Sequence, residues 1–266
     1  MKVVLTIAGS DSMGGAGIQA DIKTITALGA HATSVITAVT AQNSTEVEAI
    51  YTLSPKIVED QMEAVLHDIR PDSVKIGMLG GAEIVRLVSS LIKKYDLKRV
   101  VVDPVLRAST GATLLEEEAI EVLKGELFPL AYIITPNIPE AEALCAQEIR
   151  DTKAMAKAAK KLHQMGPRAV VITGGHLEGA PADFFWDGET EAIISGKRSQ
   201  NPHDHGSGCV FSSALAAYLA EGKRPPPLEA TKLAQQFTIR AIMHGYRCGK
   251  GRGPVNPFFR WIPGGS

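Results

Sequence analysis

The segment from His205 to Cys209, His-Gly-Ser-Gly-Cys, places a cysteine where a glycine-rich loop meets a helix-forming sequence. Gly206, Ser207 and Gly208 are expected to present successive backbone N–H groups at the start of that helix, where the macrodipole also favours an anion. Such a cradle stabilises negative charge that develops during a reaction. A helix amino terminus favours the thiolate, so we expect the pKa of Cys209 to lie below its ordinary value of about 8.5. Cys209 is therefore a candidate base for deprotonating a substrate hydroxyl.

Two other interpretations of this segment remain open. Covalent thiol catalysis usually pairs a cysteine with a histidine, and His203 and His205 are near in sequence. A metal site formed by His203, Asp204 and His205 would need further ligands, and a solvated loop is the simpler interpretation of these three residues. The three cysteines of the chain form neither an even set nor a Cys-x-x-Cys pair. Without its position, Cys209 would be interpreted as a small buried hydrophobic residue.

Several loops that follow apolar strands offer groups for binding a flat ring. Residues 8–21 contain a cluster of glycines that lets the backbone approach a ligand, although they fit neither the dinucleotide-binding nor the Walker A pattern. Gln42 carries two donors and one acceptor, which is enough to read the polar edge of a heterocycle. Met78 and Val105 are candidates to flank the ring. The simpler interpretations are a tight turn, a solvated glutamine and two core residues.

Acidic and amide side chains at other strand ends are suited to a metal and a polyphosphate. Asp103 lies at a strand end where a metal-bound water can sit. Asn137 and Glu140 are three residues apart at a strand-to-helix junction. Helix capping is the simpler role for this pair, and positioning of Mg²⁺ waters is the alternative.

The elements that must position these loops alternate regularly between strands and helices. Apolar, β-branched runs are followed by segments with the apolar period of a helix, which predicts βαβ units and a mostly parallel sheet. Near-continuous apolarity of the strands indicates that helices cover both faces. Residues 180–197 break the pattern with turn residues and alternation, and we predict a hairpin or edge pair there. We predict one α/β domain over residues 1–266, with ligands beyond the carboxyl ends of the strands.

Composition excludes several classes of partner. The 266 residues are 45% hydrophobic and 21% charged, with a net charge of −1 and a pI near 6.7. This balance gives no electrostatic reason to expect binding to nucleic acid or to a membrane surface. No apolar run approaches the roughly 20 residues of a membrane span, and the first residues are more typical of an opening strand than of a signal peptide. We expect a cytoplasmic protein that binds small molecules.

Together these motifs resemble the hydroxymethylpyrimidine/phosphomethylpyrimidine kinases of thiamine biosynthesis, which belong to the ribokinase-like superfamily. The resemblance runs from Lys2 to about Asn256, with the motifs in the family's order. It implies a ribokinase-like three-layer sandwich, ATP and Mg²⁺ as cofactors, a homodimer, and phosphoryl transfer to an aminopyrimidine and then to its monophosphate. The motifs are TIAGSDSMGGAGIQAD, SVITAVTAQNS, VKIGMLG, VVDPV, ITPNIPEAEAL, GGHLEG, HGSGC and GKGRGPVN.

The resemblance also implies roles for individual residues. Cys209 would be the base beside an anion hole formed by Gly206, Ser207 and Gly208, and Gln42 would hydrogen-bond the pyrimidine. Asp103 and Glu140 would bind Mg²⁺ or its water ligands. The remaining assignments are a pocket wall of Gly9, Ala16, Met78 and Val105, and a nucleotide side of Asn137, Glu140 and Thr173.

Several positions depart from the family's pattern. Thr173 stands where many members have a phosphate-contacting lysine, and Gln235 where a nucleotide-side lysine is common. These two changes weaken the expectation of strong ATP binding, and they are compatible with a shifted substrate. The other departures are Met13 for a glycine, Ser109 and Ala112 in the lid segment, and Asp204 for a threonine.

Two further functions follow from the same residues. A pyridoxal or pyridoxamine kinase of the same superfamily would also bind a flat ring with a hydroxymethyl arm. Gln42 favours the pyrimidine, as does Ala108 in the lid, where some pyridoxal-active relatives carry a second thiol. A non-catalytic, regulatory pyrimidine-binding protein is the other alternative, because the nucleotide-side residues are altered.

Overall fold

The centre of the protein is a nine-stranded sheet. The computed structural model describes residues 1–106, 115–175, 182–197, 199–221 and 225–261, and the sheet is built within these ranges. The strands are β1 (Val3–Asp11), β2 (His31–Gln42), β3 (Val47–Thr52), β4 (Ser73–Ile76), β5 (Val100–Val102), β6 (Ile133–Ile134), β7 (Ala169–Ile172), β8 (Ala182–Trp186) and β9 (Glu191–Ser195).

The order of the strands is β3-β2-β1-β4-β5-β6-β7-β8-β9, and the pairs from β2 to β7 are parallel. The pairs β2·β3, β7·β8 and β8·β9 are antiparallel. The chain moves from β1 to β2 on one side and later returns to place β4 on the other side of β1. This reversal opens a crevice beyond the carboxyl end of β1, where ligands bind in open α/β sheets.

Helices cover both faces of the sheet. The helices are α1 (Gly17–Ala27), α2 (Pro55–Asp68), α3 (Ala82–Lys94), α4 (Glu117–Val122), α5 (Ile138–Cys145), α6 (Thr152–His163), α7 (Ser207–Ala220) and α8 (Pro227–Met243). One buried apolar cluster contains residues of α2 to α6, and a second contains residues of α1, α7 and α8. The predicted three-layer arrangement with a mostly parallel sheet is confirmed.

Local sequence explains why these elements form. Helix α2 begins with Pro55, and the Ser54 side chain caps it by accepting from the Ile57 amide at 3.4 Å. Helix α3 carries its apolar residues on one stripe, from Ile84 to Ile92, and buries that stripe against the sheet. Strands β4, β5 and β7 are buried along their whole length, as continuous apolar runs predict.

The sequence predicted the strands at one edge of the sheet and missed the strand at the other edge. Strand β3 has no strand prediction from the sequence, because half of its residues are exposed and the acidic Glu48 interrupts the apolar pattern. The hairpin predicted at residues 180–197 is present as β8 and β9 in the described part of that segment. In the described ranges, no helix has the length and apolarity that crossing a membrane requires.

Candidate active site

A cleft of about 970 Å³ opens at the carboxyl ends of the central parallel strands. Every site residue predicted from the sequence lines it, although these residues come from loops up to 200 positions apart. The sheet brings together Gly9, Ala16, Gln42, Met78, Asp103, Val105, Asn137, Glu140, Thr173, Gly206, Ser207, Gly208 and Cys209. The cleft therefore joins the predicted ring-binding, phosphate and metal residues in one space.

The turn before α7 is built around a glycine that no other residue can replace without strain. Gly206 is the N-cap of α7 with a left-handed φ of +81°. A Cβ added to Gly206 would lie 1.8 Å from the carbonyl oxygen of Gly15. The turn thus packs backbone to backbone against the first glycine-rich loop. Gly206, Ser207 and Gly208 line the cleft at the first turn of α7, where backbone N–H groups of a helix have no partner within the helix.

The thiol of Cys209 does not have the lowered pKa that the sequence predicted. Burial in the cleft raises the pKa of Cys209 to about 12, while the Lys75 ammonium and the Gly17 amide act in the opposite direction. The prediction of a thiolate favoured by the helix terminus is therefore wrong for the protein without ligands, because loss of solvation exceeds the helix effect.

A buried ion pair that sequence reasoning missed lies beneath Cys209. Lys75 of β4 and Asp21 of α1 are both 0% exposed, and the Lys75 Nζ lies 2.9 Å from each oxygen of the Asp21 carboxylate. The hydroxyls of Thr6 and Ser213 each donate to that carboxylate at 2.6 Å. Lys75 sits among apolar residues in a short strand, and only the three-dimensional structure shows that it faces a carboxylate and the cleft.

Asp103 and Glu140 form a pair of buried acids in the cleft. Burial raises the pKa of Asp103 in spite of the nearby Lys75 and a hydrogen bond from the Ser212 hydroxyl at 3.0 Å. Burial and then repulsion from Asp103 raise the pKa of Glu140 to about 8. A divalent cation would relieve both effects, and two carboxylates with phosphate and water oxygens are a usual set for Mg²⁺. Within the described ranges, no group of three or more His, Cys, Asp or Glu side chains is arranged to hold a metal by itself.

The simpler capping role of Asn137 and Glu140 is confirmed. The Asn137 Oδ1 accepts from the Glu140 amide at 2.9 Å, and the Glu140 Oε2 accepts from the Asn137 amide at 2.9 Å. This reciprocal capping box begins α5. The capping box holds the carboxyl group of Glu140 at the cleft wall, so Glu140 can cap the helix and still be available to bind a cation.

His205 is buried, which corrects its interpretation as part of a solvated loop. Its Nε2 lies 3.1 Å from Oδ2 of Asp11 and 3.4 Å from Nε2 of Gln42. The backbone at His205 bridges to that at Pro254, and the ring packs so closely on Gly15 that a Cβ there would lie 2.5 Å from Cδ2. The imidazole thus joins the first loop to the predicted ring-binding glutamine.

The alternative interpretation of His203, Asp204 and His205 as a metal site is wrong as well. Asp204 pairs with Arg252, and the His203 Nδ1 accepts from the Gly253 amide at 3.1 Å. His205 bonds to Asp11, so the three side chains have three separate partners. Arg252 also accounts for Asp204, since it neutralises an acid that lies beside the anion cradle.

The two altered nucleotide-side residues have different surroundings. Gln235 donates to Oδ2 of Asp183 at 2.9 Å and to the Ile194 carbonyl at 2.8 Å, so it ties α8 to the β8–β9 hairpin. The amide of Thr173 donates to the Pro136 carbonyl at 2.9 Å, and the residue lines the cleft. The lid positions Ala108, Ser109 and Ala112 lie outside the described residues.

The fold and cleft define a ribokinase-like small-molecule kinase, and the comparisons agree. The Staphylococcus aureus pyridoxal kinase solved with AMP-PCP and pyridoxal has a TM-score of 0.90 and 33% identity, covering 98% of this chain and 95% of that one. A sequence profile described as phosphomethylpyrimidine kinase matches residues 11–256. The chain belongs to the phosphomethylpyrimidine kinase family.

Individual relatives support this assignment. The hydroxymethylpyrimidine/phosphomethylpyrimidine kinase of Rhizobium meliloti is 44% identical, covering 97% of this chain and 98% of that protein. The thiamine biosynthesis bifunctional protein of Geobacter sulfurreducens is 47% identical over 95% of this chain, which spans only 51% of that protein's length. The crystal structure of phosphomethylpyrimidine kinase from Clostridium difficile 630 has a TM-score of 0.81 and 43% identity, covering 91% of this chain and all of that one.

Proposed function

We propose that this protein transfers the terminal phosphoryl group of ATP to 4-amino-5-hydroxymethyl-2-methylpyrimidine and then to its monophosphate, in thiamine diphosphate biosynthesis. The observation that carries the proposal is the convergence of the Gly206–Cys209 turn, Gln42 and the acid pair Asp103 and Glu140 on one cleft. The names of the relatives in the same family support the choice of substrate.

Phosphoryl transfer requires mainly positioning and neutralisation of charge, and the cleft offers both. The amides of the Gly206–Gly208 turn would hold the oxygens of the moving phosphoryl group, as a helix amino terminus holds an anion. Gln42 would orient the ring between Met78 and Val105, with Gly9 and Ala16 allowing close approach of the backbone. Mg²⁺ would neutralise the phosphates of ATP when bound by Asp103 and Glu140, with Asn137 and Thr173 on the nucleotide side.

Cys209 would receive the proton of the substrate hydroxymethyl group. The hydroxyl oxygen forms the new bond to phosphorus, the bond to the leaving ADP oxygen breaks, and the hydroxyl proton passes to the sulfur. Because burial raises the pKa of Cys209 to about 12, the thiol must first lose its own proton to water, and the Lys75 ammonium favours the resulting thiolate. Its ionisation therefore depends on the substrate complex.

A pyridoxal kinase activity is the second candidate function. The similarity to the Staphylococcus aureus pyridoxal kinase favours it, since that protein was solved with pyridoxal. Gln42 at the cleft favours the aminopyrimidine, since an amide offers a donor and an acceptor side by side. A non-catalytic pyrimidine-binding protein is the third, and the formed cradle and acid pair argue against it.

Radiolabelled ATP with each ring compound separates these functions. We expect labelled pyrimidine monophosphate and then diphosphate, with pyridoxal phosphorylated at a much lower kcat/KM. Tight pyrimidine binding without any phosphorylated product would refute the kinase function. Equal or better turnover of pyridoxal would replace the pyrimidine as substrate.

We further propose a cytoplasmic homodimer whose residues 1–266 form one domain. The three cysteines are free thiols, as a reducing compartment favours. Val39 and Tyr51, at 41% and 65% exposure, form an apolar surface on the β2–β3 edge that suits contact with a second copy. A single sheet links residues from Val3 to Ser195, which supports one domain. Light scattering and limited proteolysis test the dimer and the domain.

A further inference from the structure

A chain of close polar contacts runs from Asp11 through His205 to Gln42. Asp11 is placed by the first glycine-rich loop, where the amides of Met13, Gly15 and Ala16 donate to its carboxylate at 2.8, 3.0 and 2.8 Å. Burial would raise the pKa of Asp11, but hydrogen bonds from His205 and from these backbone amides hold the pKa below its ordinary value of 3.8. Asp11 is therefore an ionised acceptor.

An ionised Asp11 determines which nitrogen of His205 carries a proton. The Nε2 atom of His205 lies 3.1 Å from Oδ2 of Asp11. A carboxylate only accepts, so Nε2 must carry a hydrogen at this distance, whether the ring is neutral or charged. Gln42 therefore meets an N–H donor at the same Nε2 atom, 3.4 Å away.

With the Gln42 amide nitrogen directed at His205, two donors face each other. On its other side the amide oxygen of Gln42 lies 3.3 Å from the Thr40 hydroxyl, which also lies 3.0 Å from the Ser10 carbonyl. Thr40 has one hydroxyl hydrogen, which cannot form a full hydrogen bond to both the Ser10 carbonyl oxygen and the Gln42 amide oxygen. Exchanging the amide oxygen and nitrogen of Gln42 removes both conflicts: the amide nitrogen donates to Thr40, Thr40 donates to Ser10, and Nε2–H of His205 is shared between Asp11 and Gln42.

We infer that His205 and Asp11 are positioning residues that lock the Gln42 amide with its oxygen toward His205 and its nitrogen toward Thr40, and thereby select rings by the order of their donor and acceptor. This inference rests on the proposed role of Gln42 in binding the ring. A 4-aminopyrimidine presents an exocyclic N–H donor beside a ring nitrogen acceptor. Its 4-oxo analogue presents the same two positions with donor and acceptor exchanged. An amide that cannot rotate pairs its oxygen and nitrogen with the donor and acceptor of the 4-amino ring, and it meets the 4-oxo ring with donor against donor and acceptor against acceptor.

The test compares the 4-amino and 4-oxo forms of the hydroxymethylpyrimidine as substrates and as ligands. We expect the wild-type protein to prefer the amino form by at least about 100-fold in kcat/KM, mostly through KM. His205→Leu removes the donor and lets the amide rotate, so the preference falls at least about 10-fold. His205→Gln can place an amide N–H near the position of Nε2, and should keep the preference within about threefold.

Ser12→Ala is the matched control. The Ser12 hydroxyl contacts the backbone of Gln42 at 2.8 and 2.9 Å and leaves the side-chain amide untouched. We expect this variant to keep the wild-type ratio between the two rings. An unchanged ratio in His205→Leu would overturn the inference, as would an equal loss of ratio in Ser12→Ala.

A second measurement needs no variant in the cleft to be active. Long-range ¹H–¹⁵N correlation spectra report which ring nitrogen of each of the seven histidines carries hydrogen, and the His205→Gln spectrum identifies the signal of His205. We expect Nε2 of His205 to be protonated in the free protein. An unprotonated Nε2 would refute the inference even if the kinase activity is present. Failure of both pyrimidines to bind would refute the proposed substrate instead, while the spectra still decide the state of His205.

Discussion

The buried pair Lys75 and Asp21 predicts a large loss of stability when only one partner is removed. Burial would lower the pKa of Lys75, but the charge of the Asp21 carboxylate is the main influence that raises it above its ordinary value of 10.5, so the ammonium stays charged. Lys75→Met would leave the Asp21 carboxylate buried without a counter-charge. Removing one partner of a buried pair costs about 3–5 kcal/mol of unfolding free energy. We expect about 3 kcal/mol, because the Thr6 and Ser213 hydroxyls still donate to Asp21.

A double-mutant cycle measured by urea unfolding separates this effect from the loss of packing. Lys75→Met with Asp21→Asn removes both charges, and we expect the double variant to recover about 2 kcal/mol relative to Lys75→Met. Lys2→Met is the control, because it breaks a pair with Asp72 whose N···O distance of 2.7 Å is close to the 2.9 Å of the buried pair but which lies at the surface. This control should change the unfolding free energy by less than about 1 kcal/mol.

Two results would contradict the reasoning about this pair. The first is a loss below about 1 kcal/mol in Lys75→Met, which would show that water or a proton compensates Asp21 without difficulty. The second is a double variant that is no more stable than Lys75→Met. In that case the packing of the lysine stem, and not its charge, would be the stabilising element.

Four other predictions concern the cleft. Cys209→Ala should lower kcat by about 10²-fold or more if the sulfur is the base, and near wild-type turnover in a steady-state assay would remove it from that role. Gln42→Ala should mainly raise KM for the pyrimidine, whereas an unchanged KM would place the ring elsewhere. Gly206→Ala should destabilise the protein by at least about 2 kcal/mol, because Gly206 has a left-handed φ and an added Cβ would lie 1.8 Å from the Gly15 carbonyl oxygen. Gly208→Ala is the control and should not destabilise the protein, because its added Cβ would lie 3.9 Å from Asp103. Equal shifts of the melting temperature in the two variants would contradict the account of this turn. Because burial raises the pKa of Glu140 from 4.5 to about 8, the native state keeps a proton that the unfolded state releases, so the unfolding free energy should fall between pH 4.5 and about 8. Glu140→Gln should reduce that slope by up to one proton, and an unaltered slope would show that Glu140 is not the group responsible.

The sequence was sufficient for the fold because its information is repeated along the chain. Continuous apolar strands alternate with helices of 3.6-residue apolar period, as in the stripe of α3, and only a covered parallel sheet buries both. Strand β3 escaped detection because edge strands are half exposed and lack that signal. The residues of the cleft were found for a related reason, since loops after parallel strands meet at one edge of the sheet.

The sequence by itself determined the mostly parallel sheet, the covering helices and the strand-end loops that meet at the cleft, because these depend on patterns local to each segment. Only the tertiary structure decided the state of those residues. The burial of Cys209 reversed the direction of its expected pKa change, and Lys75, Asp21 and the contact between Asp11 and His205 became visible only when distant segments were packed together. The physical reason is that solvation and hydrogen bonding depend on neighbours far away in sequence, whose distances no local pattern records.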